Sequence, residues 1–191
     1  TLKLEDVQGK NRTLNWLNAL DKCHKLQVLE LVQWPYLTDR MLAPRLKTIA
    51  SGLRSLAVEK CKHIRGDFMI PVKRFEKLTS LNLSGNNIDQ AVLEEVIIPT
   101  IGDQLQVLAI SGSNFGSRPN AHDVTPWLKN LHTFVCDSTK INETVFVPLH
   151  NYHEHARSEC LGANIRDARF RFSGADCFFP LSTLSITQTN T

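Results

Sequence analysis

The sequence predicts an α/β fold in which short parallel strands stack into one sheet on a concave face while short helices return the chain across a convex face. Three observations carry this. A short apolar motif recurs, clearest as LTSLNLSGNNI at residues 78–88, and again as LQVLELVQWPYL from Leu26, LRSLAVEKCKHI from Leu53, LQVLAISGSNF from Leu105 and LHTFVCDSTKI from Leu131, with TLKLEDV as the back half of a further copy. The second leucine of each copy falls at Leu2, Leu29, Leu56, Leu81, Leu108 and Phe134, in steps of 27, 27, 25, 27 and 26 residues, and a near-constant period of this size is the signature of a solenoid. Between copies the apolar spacing changes from two toward that of a helix.

Each L-x-x-L-x-L segment alternates apolar and variable residues, so it reads as a strand with its leucines inward and the intervening residues outward. One such strand cannot hide its leucines, but copies stacked about 4.8 Å apart make one continuous core. In the returns, Thr13, Thr38 and Asp89 are the expected N-caps. Leu14, Leu17 and Leu20 should form one buried face, and Val92, Leu93, Val96 and Ile97 another. Pro44 and Pro71 predict short or broken helices, and Pro99 with Gly102 predicts the end of the fourth return. Trp16, Trp34, Tyr36, Phe75 and Trp127 fall in returns and turns, which favours packing over a binding stripe.

The rhythm covers residues 1–149 in about six copies. Residues 150–191 read as a degenerate repeat or an irregular cap, partly disordered: ARSECLGAN fits poorly where a copy is due, ARFRFSGAD from Ala168 resembles the motif but comes late, and LSTLSIT from Leu181 fits again.

Composition narrows the class further. The 191 residues carry 22 basic and 19 acidic side chains for a formal charge of +3, spread without a basic run, which points to neither nucleic acid nor a membrane. No apolar run approaches the roughly 18–20 residues of a membrane span, and TLKLEDVQGK has no cationic-then-apolar pattern. The chain opens without Met and inside the motif, so an upstream portion is expected. Cys23, Cys61, Cys136, Cys160 and Cys177 are odd in number and widely spaced, which favours reduced thiols in the cytoplasm or nucleus. The sequons at Asn11, Asn82 and Asn142 permit a secreted reading, but such tripeptides recur by chance.

LTSLNLSGNNI matches L-x-x-L-x-L-x-x-(N/C)-x-L nearly letter for letter and resembles the leucine-rich-repeat family. LRSLAVEKCKHI, with Cys61 in the N/C position, and Leu37-Thr38-Asp39 after Trp34 resemble the cysteine-containing subclass common in ubiquitin-ligase receptors. Cys23 also sits where that subclass often has cysteine. The resemblance implies that Asn86 and Cys61 hydrogen-bond neighbouring backbone at the turn leaving each strand; Trp34, Ser113 and Thr139 stand there in other copies. F-box receptors and Zyg-type cullin-ligase receptors look similar, the second more so. The implied function is the substrate-binding part of such a receptor, contacting a ligase adaptor through regions outside this chain. A scaffold or regulatory repeat protein without a ligase role is the alternative.

No motif for catalysis stands out: G-x-S-x-G, a phosphate-binding G-x-x-x-x-G-K-[ST] and HExxH are all missing from the sequence, and no cofactor is implied. His150, His153, His155 and Cys160 are zinc-ligand types, yet their spacing matches no closed tetrahedral framework, so a solvated loop is favoured. What remains is a surface. Outward positions form one row of Lys3, Glu30, Ala57, Asn82, Ala109 and Val135, and a second of Glu5, Val32, Glu59, Ser84, Ser111 and Asp137. Lys3, Glu5, Glu30, Glu59, Asn82, Ser84 and Asp137 are the candidate contacts. Glu5, Glu30 and Glu59 should gather near one another, to meet a protein segment carrying Lys or Arg beside a floor of small residues.

Overall fold

A computed structural model describes residues 1–72, 75–113, 130–131, 133–135 and 169–171. Among these residues seven strands lie side by side in sequence order, every neighbouring pair parallel: β1 (Leu2–Glu5), β2 (Val28–Val32), β3 (Ser55–Glu59), β4 (Ser80–Asn82), β5 (Val107–Ala109), β6 (Thr133–Val135) and β7 (Arg169–Arg171). Together with the helical returns this is the α/β class with a parallel sheet that the periodic leucines predict. The strand starts are tied alike from unit to unit. The carbonyl of Gln27 accepts from the N–H groups of Arg54 and Ser55, that of Arg54 from Thr79 and Ser80, and that of Thr79 from Gln106 and Val107, at 2.7–3.1 Å.

Register follows the motif. Leu2, Leu29, Leu56, Leu81, Leu108, Phe134 and Phe170 are paired across all seven strands. The last strand comes from the late-arriving stretch at Ala168. Leu29, Leu31, Leu56, Val58, Leu81, Leu83, Leu108 and Ile110 are fully buried. At roughly 2 kcal/mol per buried aliphatic side chain, these rows dominate the folding free energy. A one-residue slip would turn the leucines to solvent, which is why the register holds.

The returns supply the other wall of the core and depart from expectation in several places. The helix α1 (Lys10–Leu20) starts one turn earlier than a Thr13 cap implies, with Gly9 at its N-cap. Thr13 lies inside the helix, fully buried, and its hydroxyl donates to the Gly9 carbonyl at 3.1 Å. The buried face is therefore Thr13, Leu17 and Leu20, and Leu14, one residue round the helix, is 38% exposed.

In α2 (Asp39–Ile49), which has Thr38 at its N-cap position without a side-chain capping bond, Pro44 does not break the helix. Leu42, Ala43, Leu46 and Ile49 on either side of it are all buried, so packing holds the path through the position that lacks an N–H. Arg45 braces α2 against α1, its guanidinium 2.7 Å from the Asp21 carboxylate and also bonded to the Asn18 side chain.

Among the described residues the third return has a 3₁₀ turn, Asp67–Met69, ahead of Pro71, and its step of 25 residues is the shortest of those in the period. In the fourth, Asp89 caps as expected, its carboxylate accepting from the Ala91 N–H at 2.8 Å. The chain then runs through α3 (Gln90–Val92), a π turn over Leu93–Ile97, α4 (Ile98–Ile101) and a 3₁₀ turn at Gly102–Gln104. Pro99 does not end this return, whereas the α-helix does stop at Gly102. Pro99 sits in the first turn of α4, where a missing N–H is tolerated, and the π turn just before it widens the hydrogen-bond step. Leu93, Ile97, Ile98 and Ile101 are buried, with Val92 and Val96 packed at the margin.

Among the aromatics, Trp34 and Phe75 are core residues, whereas Trp16 (45% exposed) and Tyr36 (49% exposed) are not. Both of these lie on outward faces, Trp16 off the buried stripe of α1 and Tyr36 at the crest of a turn. Trp127 and the boundary at 149/150 fall outside the described residues.

Candidate interaction surface

Parallel register turns alternate strand residues into rows on the outer face of the sheet. Lys3, Glu30, Ala57, Asn82, Ala109 and Val135 are paired in succession, as are Glu5, Val32 and Glu59. The three glutamates lie near one another but in two rows, with Glu30 diagonal to both Glu5 and Glu59 across the neighbouring strands, roughly 7–8 Å at ordinary strand spacing. Glu30 belongs to the first row, where the Lys3 ammonium lies 3.8 Å from its carboxylate. Glu5 and Glu59 share the second row two strands apart, about 10 Å at ordinary strand spacing, with Val32 between them. Among the described residues neither has an ion-pair partner. Asn82 is engaged locally, its side-chain oxygen accepting from the Ser84 N–H at 3.0 Å. Beyond it the surface is low, with Ser84, Gly85, Ala109, Ser111 and Gly112.

The rim past each strand has one repeated geometry. Asp6, Gln33, Lys60, Gly85 and Gly112 all have left-handed backbone, at φ of 53°, 58°, 53°, 73° and 72°. In the first four the N–H at this bend donates to the next unit: Asp6 to Val32, Gln33 to Glu59 and Lys60 to Ser84, each at 2.9 Å, and Gly85 to Ser111 at 2.6 Å. Two positions are glycine, as a left-handed bend favours, and three are not. So Asp6, Gln33 and Lys60 project side chains from the rim where the next two units have none. The row is missed by reading strands alone. Its sequence signal is Ser-Gly at Ser84-Gly85 and Ser111-Gly112, in phase with the period.

One residue further on lies a buried ladder that fixes this rim from beneath. The Trp34 indole N–H donates to the Leu4 carbonyl at 3.2 Å, the Cys61 thiol reaches the Leu31 carbonyl at 4.0 Å, and the Asn86 amide donates to the Val58 carbonyl at 2.5 Å. Leu4, Leu31 and Val58 are register equivalents, so Trp34 and Asn86 serve the same carbonyl of their neighbouring units and the Cys61 sulfur lies against it in the unit between. In the return direction Cys61 sulfur accepts from the Trp34 N–H at 3.4 Å and Asn86 oxygen from the Cys61 N–H at 2.7 Å. Asn86 also donates to its own Leu83 carbonyl, and the Cys61 thiol to that of Glu59. Burial pushes the Cys61 thiol up to about 11, against a partial opposing pull from the Trp34 N–H. Ser113 occupies the next rung, buried, but its hydroxyl makes no hydrogen bond among the described residues. A serine side chain is shorter than an asparagine amide.

A second buried anchor is Asp39 at the start of α2. Its carboxylate accepts from the N–H groups of Arg65, Gly66 and Phe68 at 2.9, 3.0 and 3.1 Å, which locks the third unit's turn onto the second unit's helix. The triplet Leu37-Thr38-Asp39 is visible in the sequence. Its target in the next unit is not, because nothing local marks three N–H groups 26–29 residues away.

Asp137, His150, His153, His155 and Cys160 lie outside the described residues, as do Cys136 and Cys177. Cys23 and Cys61 are free thiols. Among the described residues no His, Cys, Asp and Glu side chains gather in threes as a metal ion would require, and no helix is long and apolar enough to cross a membrane. No family model, curated protein or solved structure matches this chain.

Proposed function

We propose that this chain is a leucine-rich-repeat solenoid that binds a protein partner on the outer, concave face of its sheet and its strand-exit rim, as the substrate-binding part of a cullin-type ubiquitin-ligase receptor. It acts by binding, without catalysis or cofactor, in the cytoplasm or nucleus. The observation that carries the recognition reading is the second outward row, in which Glu5 and Glu59 flank Val32 without ion-pair partners among the described residues, beside a low floor of Ser and Gly. Two carboxylates unneutralised among the described residues, over a seat whose floor, Val32, is itself buried, favour a segment that brings Lys or Arg to them. Asp6, Gln33 and Lys60 border that seat. The ligase role rests on the resemblance of the repeats to the cysteine-containing subclass, with Cys61 and Leu37-Thr38-Asp39 as its marks.

The test combines Glu5→Lys and Glu59→Lys, leaving the Lys3–Glu30 pair intact. The double variant should keep the wild-type circular dichroism spectrum and lose at least tenfold in affinity for a partner identified by capture with wild-type protein. Unchanged affinity with an intact fold overturns the recognition surface. Co-purification of the full-length protein with a cullin and its adaptor supports the ligase role. Partner capture without them favours the scaffold reading.

A further inference from the structure

We draw no further inference here: the strongest candidate, the end face of the sheet at β1, where Leu2, Leu4 and Val7 are only partly buried and Trp16 of α1 is half exposed, is an unpartnered apolar face and nothing in the structure shows what covers it.

Discussion

Asn86 makes three buried hydrogen bonds with a short side chain, and its orientation is set by its partners: an N–H of Cys61 on one side, the carbonyls of Val58 and Leu83 on the other. Removing it strands one donor and two acceptors, so Asn86→Ala should lower stability by about 3 kcal/mol in urea unfolding. Asn86→Asp should not rescue it, because a carboxylate can accept from Cys61 but repels both carbonyls. Cys61 adds a pH dependence. Its thiol titrates near 9.0 when unfolded and near 11 when folded, so the unfolded chain loses this proton first as pH rises. The stability it contributes is complete below pH 9 and falls between 9 and 11 with a slope of about 1.4 kcal/mol per pH unit. The checkable quantity is the difference from Cys61→Ser, which lacks that slope. With a thiol reagent near neutral pH, half-buried Cys23 should label while Cys61 stays protected until the protein unfolds.

At the scale of an element, the strand-exit bend and the Asp39 anchor decide how one unit sits on the next. Gly85 has φ of 73°, and a Cβ there would lie 2.9 Å from the Lys60 Cγ and 3.3 Å from Lys60 backbone. Gly85→Ala therefore meets both left-handed strain and a neighbour, and should cost about 2 kcal/mol. At Gly112 the nearest atom would be 3.6 Å away, so Gly112→Ala carries the strain alone and should cost less, about 1 kcal/mol. Asp39→Ala leaves three N–H groups without their acceptor and should cost about 3 kcal/mol, while Asp39→Asn, which keeps one acceptor oxygen, should cost roughly half as much. Thermal unfolding of the four variants gives the order. The returns also show where element-level reading fails. Pro44 and Pro99 are breakers by local chemistry, yet one is carried by buried neighbours and the other is placed in a first turn.

Across the whole molecule, the period is the part of the fold that the sequence makes legible. Leucines at Leu2, Leu29, Leu56, Leu81 and Leu108 must share one buried side, and a parallel sheet in sequence order satisfies them all. The outward rows follow from the same register, so which residues lie side by side on the candidate surface could be read in advance. Which of them are available could not. Lys3 neutralises Glu30 across a strand pair, Asn82 turns to the Ser84 N–H, and Asp6, Gln33 and Lys60 reach the rim because each unit bends left-handed at the same place. By itself the sequence determined the α/β class and the strands β1 to β6 with their order and register, because a 25- to 27-residue apolar period leaves one way to bury every leucine, whereas β7 falls outside that period. Only the tertiary structure decided the start of α1, the equivalent carbonyls that Trp34 and Asn86 bond and Cys61 approaches, the grip of Asp39 on the next turn and the pairing of the surface charges. Those depend on contacts between units 24 to 30 residues apart, where hydrogen-bond geometry and burial outweigh any local preference.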